Sequence, residues 1–326
     1  MKQGFAWLKT GLKFSFAFII IWYMVYSGRL DLSIVQKGFS HGATIVCILL
    51  IVFSASLTFY RWLLLAKGQG VFFSYFQVLR YGLIGCFFNT TMPGAVSGDL
   101  IKAWYVMGDR KGQEKTPVFT SILLDRMIGV FGLVIVSAMA LLFSWSTTWS
   151  DPKLQKIAIF VLCLALGVLF FFFYVMFSVW GPFAVFRKKL VRFEQHKVFA
   201  VFLKAYDALL SYRENPLILV QSLLLAVFTH LAVVMTVIFC AEALGEAHLA
   251  FHQYFLIVPL GLLTTAIPIA PAGLGVGHVA FGELFSSAGS SHGAEIFTLF
   301  VSLQILINMT GVFFYIRSPR PVQMAS

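Results

Sequence analysis

Charge is scarce in this sequence. Only 11% of its 326 residues are Asp, Glu, Lys or Arg, 60% are hydrophobic, and mean hydropathy is +0.89. A soluble domain of this length could not cover so much apolar surface. Acidic residues are the scarcest charges, 13 against 24 basic ones, for a net charge of +11. In a soluble chain that balance would raise nucleic acid as a partner. Beside uncharged runs of spanning length it reads instead as loops held against an anionic inner leaflet, with no nucleic-acid partner. The four cysteines, Cys47, Cys86, Cys163 and Cys240, lie in apolar runs without a C-x-x-C, which indicates neither a disulfide framework nor a zinc site. No Walker A motif, H-E-x-x-H or G-x-S-x-G occurs, so ATP-driven transport by this chain alone is not expected, nor is a cofactor or a metal. Period-2 alternation is missing too. Continuous apolar runs in hydrocarbon must satisfy their own backbone, which favours helices over a closed barrel.

What is present is a series of such runs. Residues 12–27, 42–65, 117–144, 155–180, 217–240 and 294–316 read as spanning helices. The first resembles a signal peptide but lacks a small-x-small cleavage site, so an uncleaved span is expected. Two further apolar segments are interrupted. Residues 71–107 carry Asn89-Thr-Thr-Met-Pro-Gly-Ala-Val-Ser-Gly-Asp99 at their middle, and residues 251–286 carry Ile267-Pro-Ile-Ala-Pro-Ala-Gly-Leu-Gly-Val-Gly-His278. Proline removes a donor and glycine frees the backbone, so each segment breaks into two half-helices. Re-entrant hairpins are the natural reading, and short paired spans the alternative. With hairpins that return to their own side, both termini are cytoplasmic, and 19 of the 24 Lys and Arg fall inside, with Arg29, Lys37, Lys153 and Lys156 outside and Arg126 within a span. The expected architecture is an all-α polytopic membrane protein, a single transmembrane domain over 1–326. About six spanning helices and two opposed hairpins form an inverted repeat. Its first unit is 42–144 with hairpin 71–107, its second 217–316 with hairpin 251–286, and the span 155–180 lies between. Transporters of this design place their site at the midplane, on half-helix ends. The connector 182–213 reads as an amphipathic helix on the inner leaflet or as a plain linker.

Several polar residues stand out against this background. Ser97 suits an N-cap after the first break, Asp99 suits the first turn, and Lys102 follows at i+3. The same half-helix end could hold an anionic headgroup, with Lys102 as counter-charge and Asn89 as a neutral donor. Asp125 and Arg126 lie inside the span starting near 117. A charge at a helix centre costs about 2.5–3.5 kcal/mol, so both are expected to face the protein interior, as a structural pair or in substrate or proton handling. They sit about 100° apart on a helix, so each should have another partner. Arg80 and Lys102 are candidates for Asp125. After the second break, Gly273 and Gly275 could present backbone N–H groups to an anion or could simply permit tight packing. His278 and Glu283 are candidate proton carriers, and His278 could equally be a satisfied neutral residue. His248 and His252, at i and i+4 beside Glu246, have metal-binding spacing but no further visible ligand.

Arg61-Trp-Leu-Leu-Leu, Gly85-x-Phe-Phe-Asn89, Pro93-Gly94-x-x-Ser97-Gly98-Asp99-x-x-Lys102-Ala, Leu124-Asp125-Arg126-x-x-Gly129 and Pro271-Ala-Gly-Leu-Gly together resemble the lysylphosphatidylglycerol synthase transmembrane-region family, from about residue 10 to 317. That family is the flippase-like domain of bacterial multiple peptide resistance proteins, with stand-alone relatives. The resemblance implies a bacterial cytoplasmic-membrane protein that moves lipids or lipid-linked headgroups between leaflets. It marks Asn89, Pro93, Gly94, Gly98, Asp99, Lys102, Asp125, Arg126, Pro271, Gly273 and Gly275 as motif positions. The family often has Pro-Gly-Gly where Pro271-Ala272-Gly273 stands, and a glutamate soon after the glycines where this chain has His278, with Glu283 five residues on. The sequence carries no aminoacyl-transferase segment after its last span, so synthase activity is not expected to accompany the family name.

The expected function is therefore a lipid flippase-like transporter for an anionic phospholipid or a polyprenyl-phosphate-linked headgroup, with Arg61, Arg80, Lys102 and Arg126 favouring phosphate. Protonation of Asp99, Asp125 or Glu283 would couple movement to a proton gradient; passive scrambling is the alternative. An intramembrane transferase is a second reading. A third is a non-transporting partner, self-assembled or bound to a cell-envelope enzyme.

Overall fold

A computed structural model describes residues 32–39, 42–92, 97–109, 115–143, 152–177, 214–246, 249–265 and 275–318, together with Tyr26, Trp145, Leu210 and Tyr212. Among these residues every regular element is a helix: α1 (Leu32–Phe39), α2 (Ala43–Gly68), α3 (Tyr75–Thr91), α4 (Ser97–Asp109), α5 (Lys115–Phe143), α6 (Pro152–Phe177), α7 (Pro216–Leu244), α8 (Phe251–Thr265), α9 (Val276–Ser287), α10 (Gly293–Met309) and α11 (Gly311–Arg317). Ala43–Gly68, Lys115–Phe143, Pro216–Leu244 and the joined Gly293–Arg317 are each long and apolar enough to cross a bilayer. The expected span at 155–180 coincides with the helix α6, whose apolar stretch Ala158–Phe173 is shorter than those four. The expected span at 12–27 and the connector at 182–213 lie almost wholly outside the described residues.

Both interrupted segments are helix pairs. α3 and α4 have 17 and 13 residues, and α8 and α9 have 15 and 12. Each falls short of the roughly 20 residues that span hydrocarbon unaided. Local chemistry sets the ends. Ser74 Oγ accepts the Gln77 amide at 3.2 Å while Gln77 Oε1 accepts the Ser74 amide at 2.9 Å, a capping box opening α3. α2 and α7 close on Gly70 and Gly245, at φ +73° and +76°. There Val71 donates to Ala66 O and Glu246 to Ala241 O, six-to-one bonds that need the left-handed residue glycine supplies.

The chain groups into two compact units, with α2, α3 and α7 contributing to both. The first unit holds Met1–Ser56, Leu79–Arg110 and Leu231–Ser326. Its core joins the start of α2, the end of α7, and α8, α9 and α10, with Cys47, Val234, Val258, Phe281, Phe285, Ile296 and Leu299 wholly buried. Glycine lets aromatic rings in: a Cβ at Gly261 would lie 2.5 Å from the Phe281 ring, and one at Gly277 would meet Phe297. Without a hydrophobic drive between helices in lipid, this close approach supplies the association. Cys47 and Cys240 touch at 3.6 Å between sulfurs, both fully buried, as small apolar side chains do.

The second unit holds Leu57–Val78 and Lys111–His230. Leu65, Leu124, Ile128, Tyr212, Leu219 and Ala226 form its core. A Cβ at Gly132 would stand 2.5 Å from that of Ala226, so α5 and α7 nearly touch backbones. The Tyr212 hydroxyl donates to Leu65 O at 2.5 Å. Burial pushes that phenol well above its usual range, so it stays a neutral donor.

Gly261→Val should lower stability by about 1–3 kcal/mol through overpacking against Phe281. Gly167→Ala, where a Cβ meets nothing within 4 Å, should be neutral or stabilising by up to about 1 kcal/mol. Thermal melts in detergent, followed by helical circular dichroism, distinguish the two.

Candidate functional site

The first break is closed by the residues that flank it. Asn89, at the end of α3, accepts the Gly98 amide on Oδ1 at 2.8 Å, and Ser97 Oγ donates to Phe88 O at 3.3 Å. Ser97 thus adds a second bond to the Phe88 carbonyl, which already accepts the Met92 amide at 2.9 Å, and one orphan donor of α4 is satisfied by a side chain of α3. The bond also orients the Asn89 amide. Its Nδ2 group keeps two donors with no partner among the described residues, beside the positive end of α4. Glycine is required at 98, because a Cβ there would collide with Gly85 O and sit 2.6 Å from Asn89 Cγ. Gly85 in turn leaves space for the Lys102 stem, whose Cβ and Cδ would lie 3.5 and 3.6 Å from an added methyl. Lys102 is buried at 6% exposure, and Asp99 is half-buried one turn earlier. Arg80 is half-buried, its guanidinium 4.9 Å above the Tyr81 ring.

The second break is flanked by Gly275, at φ +84°, and His278. The Gly275 amide donates to His278 Nδ1 at 3.3 Å, so Nδ1 is an acceptor and the ring proton sits on Nε2. Nε2 then donates to Thr298 Oγ1 at 3.1 Å, and Thr298 passes its own proton to Ala294 O at 2.8 Å. A proton on Nδ1 would set two donors face to face. His278 thus caps the turn at Gly275 and has both ring nitrogens bonded in this arrangement. Glu283 is exposed on α9. Pro93, Gly94, Pro271 and Gly273 lie outside the described residues, as does His248. Glu246 meets His292 at 3.5 Å. Among the described residues no three His, Cys, Asp or Glu side chains are grouped to hold a metal.

The second unit contains the charge pair. Arg61 Nε donates to Asp125 Oδ1 at 2.7 Å, and the two residues are only 4% and 8% exposed. Asp125 faces the interior as expected, but its partner is Arg61 rather than Arg80 or Lys102. Arg61, named above as a candidate for phosphate, is thus the structural partner of Asp125. Gly129 makes the pair fit: a Cβ there would lie 3.3 Å from a guanidinium nitrogen of Arg61. Its carbonyl accepts from His230 Nε2 at 2.9 Å. His230 is a polar centre that the motif reading passed over, although a histidine midway along a 29-residue apolar helix was the signal. Arg126 departs from expectation more sharply. It is exposed, not interior. The turn that hides Asp125 carries its neighbour about 100° away, onto the outer surface of α5.

These features define a class: an all-α polytopic membrane protein with two interrupted apolar helix pairs and a side-chain-to-backbone bond flanking each break. The chain belongs to the family described as Lysylphosphatidylglycerol synthase TM region, whose profile matches residues 11–310. A UPF0104 membrane protein of Pyrococcus horikoshii is 26% identical over 101 residues. That stretch covers 31% of this chain and 30% of the relative's length.

Asp125→Asn should cost about 3–5 kcal/mol, because it strands a buried guanidinium. The double change Arg61→Met with Asp125→Leu should recover most of that loss. Gly98→Ala should destabilise more than Gly85→Ala, whose added methyl meets its nearest atom at 3.3 Å rather than overlapping a backbone carbonyl. Melting temperatures in one detergent rank all four.

Proposed function

We propose that this protein moves an anionic lipid headgroup, that of a phospholipid or a polyprenyl-phosphate-linked sugar, between the leaflets of a bacterial cytoplasmic membrane. The observation that carries the reading is Arg126. It stands eleven residues into a 29-residue apolar helix, roughly 16 Å from its start at 1.5 Å per residue, and it is exposed there. A guanidinium at that depth is costly in lipid alone. An anionic headgroup passing along α5 can form charge-assisted, bidentate bonds to an exposed guanidinium while its acyl chains stay in the bilayer. The neighbouring Asp125 is held by Arg61.

The first break supports the same chemistry. The Asn89 amide, the positive end of α4 and the Lys102 side chain suit a phosphate oxygen. In this reading the two broken pairs are opposed re-entrant hairpins, both termini are cytoplasmic, and the lipid leaves chemically unchanged.

Purified protein in liposomes should equilibrate labelled phosphatidylglycerol or a polyprenyl-phosphate sugar between leaflets. Arg126→Gln should slow this by about tenfold or more, the worth of one charge-assisted hydrogen bond, while leaving the melting temperature unchanged. Arg126→Lys should retain part of the rate. Unassisted leaflet exchange in the presence of wild-type protein would sink the proposal. Lipid of altered mass would assign the chain to enzymes instead.

A further inference from the structure

One helix of the first unit reaches the flank of both breaks. Near the start of α10, Thr298 accepts from His278, the residue that caps Gly275, and the Phe297 ring fills the space left by Gly277. Near its end, Asn308 Nδ2 donates to Thr90 Oγ1 at 3.0 Å. Thr90 is 2% exposed, donates to Cys86 O at 2.8 Å, and directly follows Asn89. The grip continues into α11. A Cβ at Gly311 would overlap Leu83 O, and the Tyr315 ring lies 6.2, 5.1 and 6.5 Å from those of Phe87, Phe88 and Tyr105. Thr298 and Asn308 are ten residues apart, or about 15 Å along the axis. No proline or glycine interrupts Ala294–Asn308, so the rod between the two contacts has no built-in hinge.

We propose that α10 is a tie between the two broken helix pairs, with Asn308 and Thr298 as positioning residues. Asn308 sets the last turn of α3, and through it the Asn89 amide that holds Gly98. Thr298 sets the His278 ring, and through it the turn at Gly275. A stiff rod bonded to both ends transmits displacement, so the two breaks move together. Polar bonds suit this task in a membrane, because the alternative partner for a buried side-chain donor is hydrocarbon. The significance of the tie for headgroup passage rests on the transport reading above. The coupling itself is a property of the fold and is measurable without transport.

The experiment is hydrogen–deuterium exchange on the full chain in lipid nanodiscs. Asn308→Ala should speed amide exchange at 88–92 and 97–99, and also at 275–279, each by about threefold, the effect of losing one average interhelical hydrogen bond in a membrane. Thr298→Val should produce the reciprocal pattern, raising exchange at 88–92 as well as at 275–279. Thr90→Val should copy Asn308→Ala, and Thr90→Ser, which keeps the acceptor, should behave as wild type. Thr90→Val also stands in if Asn308→Ala does not fold. If each substitution alters only the pair it touches, or if Thr90→Ser behaves like Thr90→Val, the tie is wrong. Coupled exchange in a protein that moves no lipid would leave the tie standing and remove the transport reading.

Discussion

A helix broken inside a bilayer exposes amides and carbonyls that have no water to bond, and each must find a partner within the protein. The rest of this structure follows from that requirement. At the first break the partners are Asn89 for the Gly98 amide and the Phe88 carbonyl for Ser97. At the second, His278 accepts the Gly275 amide. Each solution demands close approach, and close approach demands glycine. Gly98 is pressed against Gly85, Gly277 against Phe297 and Gly311 against Leu83. The polar chemistry and the small-residue packing are therefore one arrangement. A partner at the break is only reachable if the backbones nearly touch.

Charge obeys the same economy. Arg61 and Asp125 are tolerated in the core because they neutralise one another at 2.7 Å, with Gly129 leaving space for the guanidinium and turning its carbonyl to His230. Pairs of this kind add little net stability, since desolvation offsets attraction, but losing either member leaves an uncompensated ion. Lys102 is likewise drawn into the core of its helix pair, along the face of Gly85. Arg126, one residue on from Asp125, is exposed on α5.

Much of this was legible in the chain. Continuous apolar runs with few charges can only be membrane helices, because hydrocarbon forbids an unsatisfied backbone. The proline and glycine clusters placed both breaks. The Asn89, Gly98 and Lys102 motif marked the break of the first pair that the structure closes. These signals are local, spaced by one or two helical turns, so they survive in one dimension.

What stayed hidden was partnership across long sequence separations. Arg61 lies 64 residues from Asp125, His230 lies 101 from Gly129, and Asn308 lies 218 from Thr90. Which basic residue meets a buried carboxylate depends on helix rotation and crossing. A turn of about 100° decides that Asp125 is inside while Arg126 is out. Sequence by itself determined the solvent, the helices and where they break, since those follow from composition and local backbone chemistry. Only tertiary structure decided which polar groups satisfy which, because in lipid the partner is chosen by which backbones glycine allows to touch.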